Sequence, residues 1–561
     1  MFGYSYIRRL LFFSCMIVVQ AAEGQVLYNG IHLAEQWPPR YEEPTAPVEM
    51  RVPYLQNKPS VIPINVGRQL FVDDFLIAET NLTRAFHTPN PYVGNPVLEP
   101  DKEWEKTIKG EPYASPFSDG IWYDENTGIY RMWYLAGAGK LYKEGERQFF
   151  YTCYAESKDG KHWIKPNLDV VPGTNIVDTC RRDAATIWLD RNEKDPSKRW
   201  KFFNVEYREK DDRWQIILKY SADGIHWSKG EAQSGDMYDR TTAFYNPFTN
   251  KWALSMRGMT NVSFRSRYYA ENSDPELLVS QAHRKRPDVN DRNIVLWFTP
   301  DDKELRHPKY PDVEPGIYNF DVIPYESIML GQYAAWCGPE NEICAKDKIQ
   351  KRNVVSLGYS RDGFHFSRPT HKAFVDVNET KGAWNWGNVQ SINGTPLIVG
   401  DSLYFYTSGR RLNDIFWDCY TSTGLFTLRR DGFVSMDGGK KEGSLLTETV
   451  TFDGNYLFVN ANVSSKKGQL LVEVLDENGQ PMPGYTREDC IVMKNVDKTK
   501  FMVTWKNEKD LSTLKGNKVR FKFYLREGEL YAFWVSPSLK GESRGYTAGG
   551  GPNLSKTGKD L

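Results

Sequence analysis

Charge of one sign, long apolar runs and cysteine are all in short supply in this chain, and each shortage excludes something. The 72 Lys and Arg balance 72 Asp and Glu, and no basic run stands out. The electrostatic footprint of a nucleic-acid-binding protein is therefore missing, and no nucleic-acid partner is expected. No apolar stretch is long enough to span a bilayer, so no membrane span is expected. No long amphipathic helical pattern occurs, which excludes a helical architecture. The seven cysteines show neither CxxC nor Cys/His spacing, so no structural zinc site is expected, and no other metal or cofactor. A sulfatase-like C-x-P-x-R sequence is absent as well.

Aromatic residues are abundant instead. The 561 residues include 17 Trp, 32 Tyr and 29 Phe, 14% of the chain, within an ordinary globular balance of 40% hydrophobic and 26% charged residues. Such side chains favour strands. They also line sugar-binding clefts, because the C–H face of a sugar packs well on a ring.

The N-terminus reads as a targeting signal over residues 1–24. Arg8 and Arg9 precede an apolar run from Leu10 to Val19, and Ala21, Ala22 and Gly24 supply the small residues of a cleavage site. Export follows, to the periplasm or the outside, with a mature start near Ala22–Gln25. Cys15 falls inside this run. The six remaining cysteines, Cys153, Cys180, Cys337, Cys344, Cys419 and Cys490, allow fifteen pairings. Cys337 and Cys344 could close a short loop, or the thiols are free and buried.

The main signal is repetition. The pattern S-x-D-G-x-H-[WF] occurs at Ser157–Trp163, Ser221–Trp227 and Ser360–Phe366. Asp-Gly marks a tight turn between strands, since glycine takes positive φ cheaply. His162, His226 and His365 then read as turn or packing residues. Upstream of these turns an apolar strand ends in Asp or Asn and an aromatic strand follows, as in Ile121–Asp124 before Tyr130–Tyr134, Ile187–Asp190 before Trp200–Phe203, and Ala243–Asn246 before Trp252–Ser255. Two looser units run from Tyr318 to Phe366 and from about Asn388 to Leu428. Five units of four short strands between about 115 and 432 indicate an all-β, five-bladed β-propeller, because each sheet can bury its faces only against neighbours in a ring.

Residues 25–63 are Pro-rich and read as an extended N-terminal arm over the propeller. The propeller itself is assigned to 64–435, with Gly67–Glu79 as a strand completing the last blade. Alternating runs such as Tyr456–Asn460, Leu470–Val474 and Val519–Phe523 place a C-terminal β-sandwich at 436–540. The Gly- and Lys-rich residues 541–561 read as a flexible tail.

A five-bladed propeller followed by a β-sandwich resembles exported glycoside hydrolases of families 32, 43 and 68. Gly432-Phe433-Val434-Ser435 and Leu530-Tyr531-Ala532-Phe533 resemble the sandwich module of family 32-like proteins. Leu70-Phe71-Val72-Asp73-Asp74-Phe75-Leu76-Ile77 resembles a bacterial branch of that group. The resemblance implies hydrolysis of glycosidic bonds. The W-M-N-D-P-N-G and E-C-P motifs of invertase-like enzymes are absent, so fructan specificity is not implied.

Position within the repeats then nominates a site. In a propeller the first strand of each blade lines the axial channel, and glycoside cleavage needs two carboxylates on opposite sides of the bond. The first strands offer Asp119 (with Glu111 upstream), Asp183, Asp239, and Asp321 with Glu326. Asp183 and Asp239 each precede a strand-end Asp190 or Asn246 by seven residues and should occupy equivalent places. Glu326, in an aromatic and apolar strand, is the expected general acid, since desolvation raises a carboxylate pKa. Asp183, Asp239 and Asp321 are its expected partners. Arg182 and Arg240 could hold these acids ionised or bind a substrate carboxylate. Trp122, Trp384 and Trp386 could be sugar platforms, and Asn388 and Gln390 complete the expected substrate contacts. The expected activity is an exported glycoside hydrolase, with a catalytically silent carbohydrate-binding propeller as the rival. A polysaccharide lyase, which would want a Tyr or His base beside a charge neutraliser, is a third reading.

Overall fold

The computed structural model describes residues 24–106, 112–137, 150–260, 265–284, 293–411, 420–508 and 510–561. The expected signal peptide, apart from Gly24, lies outside them, as do Glu111 and Cys419. The described chain is almost entirely strand, with α-helices of only four to seven residues. None of its helices is long and apolar enough to cross a membrane.

Five short strands come first: β1 (Ile62–Pro63), β2 (Gln69–Leu70), β3 (Ile77–Thr80), β4 (Thr83–Phe86) and β5 (Asn90–Pro91). The first repeat unit follows as β6 (Ala114–Ser115), β7 (Ile121–Asp124), β8 (Ile129–Gly137) and β9 (Phe150–Ser157). The second is β10 (Ile176–Leu189), β11 (Trp200–Arg208), β12 (Arg213–Ser221) and β13 (Ala232–Gln233). The third is β14 (Thr242–Asn246), β15 (Lys251–Met259), β16 (Arg265–Asn272) and β17 (Val295–Phe298). The fourth has β18 (Gly316–Glu326), β19 (Ile328–Trp336) and β20 (Asn353–Ser360). The fifth has β21 (Leu397–Val399), β22 (Ser402–Arg411) and β23 (Tyr420–Arg429).

All pairings within these units are antiparallel. The first two units share one eight-stranded sheet, because β10 pairs β9 over Ile176–Arg182 and then shifts register to pair β11 over Ala185–Leu189. The fourth and fifth units each borrow an edge partner, β18 pairing on its inner side with a two-residue strand of the C-terminal tail and β23 on its outer side with β5.

Hydrogen bonds link each unit to the next in a circuit. Ile187 N–H donates to the Asp119 carbonyl at 2.7 Å, and Ala243 N–H to Thr186 Oγ1 at 3.0 Å. Thr242 Oγ1 donates to the Phe320 carbonyl at 3.4 Å, and Gln332 Nε2 to the Gly394 carbonyl at 2.8 Å. Ile121 N–H returns to Thr395 Oγ1 at 2.7 Å, which joins the fifth unit to the first. The repeated turns lock the same neighbours farther out. In each, the Asp carboxylate accepts backbone N–H bonds and holds the histidine Nδ1 at 2.7 Å. All three histidines are therefore turn residues. An aromatic side chain of the preceding unit then donates to a turn carbonyl: Trp133 to Gly224 at 2.8 Å, Trp297 to Phe364 at 2.7 Å, and Tyr406 of the fifth unit to Gly160 of the first at 2.6 Å. Gly224 has φ +75°, and a Cβ there would sit 2.7 Å from the Trp133 ring.

After β23 come β24 (Val434–Gly438), β25 (Gly443–Thr447), β26 (Val450–Thr451), β27 (Tyr456–Val463), β28 (Gln469–Asp476), β29 (Val496–Met502), β30 (Val519–Arg526) and β31 (Gly528–Ser536). They form two six-stranded sheets together with β1, β2, β3 and β4. A second hydrophobic core fills them, with Phe71, Phe75, Leu470, Val472, Phe521, Phe523 and Phe533 buried. Two expectations change here. Gly67–Glu79 does not complete the last repeat unit. Its alternating apolar residues pair with β31 and β25, and β5 completes the fifth unit instead. Nor does the arm at 25–63 lie only over the repeats, since Leu27, Ile31, Leu33, Ile62 and Ile64 are buried in this second core.

The expected flexible tail is ordered. β32 (Tyr546–Thr547) pairs Tyr325 and Glu326, the Gly549 carbonyl accepts from Tyr123 N–H, and Ser543 Oγ donates to Glu326 Oε2 at 2.6 Å. Glycines are needed here because a Cβ on Gly545 or Gly551 would fall 2.1 or 1.7 Å from neighbouring atoms. The cysteines Cys153, Cys180, Cys337, Cys344 and Cys490 are free thiols, so of the two alternatives for Cys337 and Cys344 the structure has the free one. Deleting residues 541–561 should lower the thermal midpoint, because Glu326 loses a hydrogen-bond donor worth about 1–3 kcal/mol in a buried setting. An unchanged midpoint in scanning calorimetry would contradict this docking.

Candidate functional site

The inner ends of the first strands bring most of the nominated residues together. Asp119 lies just before β7, fully buried, and Arg182 grips it with two bonds, Nη1 to Oδ1 at 3.1 Å and Nη2 to Oδ2 at 2.5 Å. The loop that aims Asp119 is strained, because Phe117 holds φ +51°, a region that favours glycine. Asp183 falls where β10 changes register between Arg182 and Ala185. Such bulges re-aim a side chain. Its Oδ1 lies 2.9 Å from Arg240 Nε. Asp239 precedes β14 and pairs with Arg257 across to β15. The equal spacing of Asp183 and Asp239 thus does place them in one group, with Arg240 between them.

Asp321 joins the group through Ser118, whose hydroxyl donates to Oδ2 at 2.8 Å, with Asn319 Nδ2 donating to the same oxygen at 2.9 Å. Tyr318 sits at a second register shift, between Ile317 and Asn319 of β18. The Arg265 guanidinium covers its ring at 4.0 Å, and Arg240 lies 5.5 Å from the ring centre. Asn388 is fully buried and donates from Nδ2 to the Lys351 carbonyl at 2.8 Å; Gln390 is buried nearby in sequence, its Oε1 with no hydrogen-bond partner.

Two carboxylates in this group are reachable from solvent, Asp183 at 19% and Asp239 at 28% side-chain exposure. Their environments push them apart. Burial raises the Asp183 carboxyl, Arg240 opposes this, and the neighbouring Asp239 charge raises it further. Asp239 is also raised by burial, but Arg257, Arg265 and Arg240 outweigh that and hold it well below the usual carboxylate range. Two neighbouring carboxyls pushed in opposite directions are the arrangement acid–base chemistry needs. Asp119 is pushed up to about 6 by burial despite Arg182, and burial raises Asp321 too. Tyr318 goes the other way: burial would raise it, yet Arg240, Lys351 and Arg265 bring its phenol down to about 8.

Sequence reasoning missed the arginines of the third unit. Arg257 on β15 is the cross-strand partner of Arg267 on β16, and Arg265 stands two residues along the same strand. Side chains two apart, and cross-strand partners, share one face. The alternation Arg265-Ser266-Arg267 in an aromatic strand was the available signal. Beside them lies a cavity of about 280 Å³, walled by Arg257, Arg265, Tyr318, Lys351, Glu314 and Glu340 among others.

Glu326 is not in this group. It lies at the far end of β18, five residues beyond Asp321 and with φ +49°. Its carboxylate is fully buried, accepts from Arg68 N–H at 3.1 Å and Arg430 Nη2 at 2.9 Å, and lies 3.5 Å from Arg68 Nε. Arg68 and Asn460 in turn hold Asp431 at 2.8 and 2.9 Å. Burial does raise the Glu326 carboxyl, as the apolar strand suggested, but no solvent reaches it. The strand runs past the site into the contact between the two cores, which sequence alone did not reveal.

Two of the tryptophans take packing roles. Trp122 is buried, donates to the Ile187 carbonyl at 2.8 Å and meets Trp188 edge-on. Trp384 covers Gly409 and Gly424, where a Cβ would fall 2.3 and 2.1 Å from its ring. Trp386 is half-buried, and its backbone N–H donates to the Ala383 carbonyl. Two groups with metal-ligand residue types, Asp178, Cys180 and Glu206, and Asp301, Glu304 and His371, already hold the cations Lys219 and Arg368 respectively.

Replacing Glu326 by Gln removes the carboxylate between Arg68 and Arg430 and should cost about 3–5 kcal/mol of stability, as breaking a buried ion pair does. Denaturant titration reads that loss. Activity per folded molecule should stay near the parent value, and a collapse of turnover at full stability would return Glu326 to the reacting group.

No family model matches the chain, and no curated protein matches it. Solved structures do. A glycosyl hydrolase from Bacteroides ovatus is 12% identical, over 65% of this chain and 97% of that one, with a TM-score of 0.40. An N-acetylgalactosamine deacetylase from F. plautii is 11% identical over 63% and 96%, with a TM-score of 0.39. A β-1,2-mannobiose phosphorylase from Listeria innocua is 14% identical over 61% and 96%, with a TM-score of 0.38. The three carry out different reactions, so the likeness assigns none of them to this chain.

Proposed function

We propose that this chain is an exported glycoside hydrolase, built as a five-bladed β-propeller joined to a β-sandwich, in which Asp183 is the general acid and Asp239 the nucleophile or base. The reading of the fold rests on the circuit of hydrogen bonds between units, which passes through all five and returns to the first. The reading of the chemistry rests on one observation above all: two solvent-reachable carboxylates share Arg240, one raised and one lowered from the ordinary range.

The roles follow from those directions. Asp183 keeps its proton above the usual carboxylate range and can deliver it to the departing glycosidic oxygen. Asp239, ionised by Arg257, can attack the anomeric carbon or take a proton from water. Arg182 fixes Asp119, and Arg240 bridges to Asp183, so both arginines act on the carboxylates. Asp321, bonded to Ser118 and Asn319, orients the wall behind them.

Tyr318 favours a second reading, β-elimination. A phenol near neutrality beside three cations can take the proton next to a sugar carboxylate. The C–O bond to the leaving sugar then breaks, its electron pair leaves with oxygen, and a double bond forms without water. The two readings differ in product: elimination yields an unsaturated, ultraviolet-absorbing sugar, and hydrolysis takes up solvent oxygen.

Once a cleaved glycan is identified, Asp183→Asn and Asp239→Asn should each lower turnover by roughly 100- to 10,000-fold. The Asp183→Asn loss should shrink on an aryl glycoside, whose leaving group needs little protonation, whereas Asp239→Asn should impair both substrates. Activity should fall at low pH as Asp239 protonates and at high pH as Asp183 ionises, with the high-pH limb missing in Asp183→Asn on the aryl substrate. Binding without cleavage across a broad glycan panel would favour a silent binding protein instead.

A further inference from the structure

The third unit carries a costly arrangement that the reacting pair does not explain. Arg257 and Arg267 face each other across β15 and β16, and Arg265 lies on the same face. Like charges opposite one another destabilise a sheet. Only Arg257 has a carboxylate partner, Asp239. Among the described residues, none pairs with Arg265 or Arg267, whose bonds go to the Tyr318 carbonyl and to Ser255. The excess is felt by the groups themselves. Burial and the neighbouring Arg257 and Arg240 charges bring Arg265 down to about 10 despite Tyr318 and Asp239, and burial with Arg265 and Arg257 brings Arg267 down to about 9 despite Asp321 and Asp239.

Buried guanidinium nitrogens without partners lie in the same group of arginines. Arg240 is 6% exposed, and its Nη1 has no hydrogen-bond partner; Nε of Arg257 and of Arg265 likewise have none. Lys351 adds a further cation to the adjoining cavity of about 280 Å³. Of the two glutamates in that wall, Glu314 is already paired with Arg306, whose Nη2 donates to both of its oxygens, and Glu340 is exposed at its edge.

We propose that this cavity receives a negatively charged sugar, a residue bearing a carboxylate or sulfate that seats among Arg257, Arg265 and Lys351 beside Tyr318. Guanidinium forks match the planar or tetrahedral oxygens of such groups. The acid group of the substrate supplies the charge the cation ladder lacks, and the ring beside it reaches toward Asp183 and Asp239. The inference rests on reading that pair as the reacting centre, and the experiment separates the two.

The probes are oligosaccharides of galacturonate, of glucuronate and of a sulfated hexose, each beside its carboxyl-reduced or desulfated counterpart. Binding is measured by calorimetry and turnover by product analysis on the mature protein. At least one acidic glycan should bind more tightly than its neutral counterpart, and the difference should shrink with salt. Arg265→Gln should weaken binding of that acidic glycan by about 30-fold or more, well beyond its effect on binding of the neutral one. Lys351→Gln provides an independent variant, and thermal midpoints verify folding of both. Equal or tighter binding of every neutral counterpart, or no binding of any acidic glycan, overturns the inference, and cleavage of a neutral glycan would meanwhile leave the hydrolase reading standing. Acid-selective binding with no cleavage does the reverse. If a neutral glycan turns over only with added inorganic phosphate, the anion is a free co-substrate and not part of the sugar, which also overturns it.

Discussion

The structure depends on the closure of the circuit between its units. The last link, between Ile121 and Thr395, is made by two hydrogen bonds and joins residues 274 apart in sequence. An antiparallel sheet left open at that point would expose two apolar faces and the ends of its inner strands. Closed, those strands deliver Asp119, Asp183, Asp239 and Asp321 to one volume, although they span about 200 residues of chain. The Asp-Gly turns reinforce closure from outside, since each presents a carbonyl to a Trp or Tyr of the unit before it.

A second constraint ties the two cores. Arg68, Glu326, Arg430 and Asp431 form a buried ionic group drawn from the N-terminal strands, the fourth unit and the end of the fifth, with Ser543 contributed by the tail. Each charge there has a partner, which is the condition under which buried charge is tolerated. The Asp73–Arg361 pair, buried at both ends, makes a similar bond between the N-terminal motif and a turn of the fourth unit. The residues that carried the family resemblance, around Leu70–Ile77, thus have a structural role at this junction.

The candidate site obeys the opposite logic. Its positive charges are not all matched, its backbone is strained at Phe117, and two of its side chains project from register shifts. Strain and unbalanced charge cost stability, and here they gather beside the solvent-reachable carboxylates. That contrast separates Glu326, fully satisfied and sealed, from Asp183 and Asp239.

What the sequence by itself determined is local and periodic. Turn chemistry at Asp-Gly, two-residue alternation and the aromatic strands were legible because each depends on neighbours in the chain, and the seven-residue spacing of Asp183 and Asp239 was legible because repeats impose equivalent geometry. The partners of those elements were not. Gly67–Glu79 has the alternation of any strand, and only the shape of the two apolar cores sends it to β25 and β31. The glycine-rich tail has little apolar surface, and its order comes from backbone pairing and from a buried carboxylate supplied 217 residues earlier. Glu326 and Asp321 lie on one strand and both feel desolvation, but the strand is longer than the site is deep. Which end opens to solvent, and which is sealed between two cores, is a property of packing across the whole fold, and tertiary structure alone decided it.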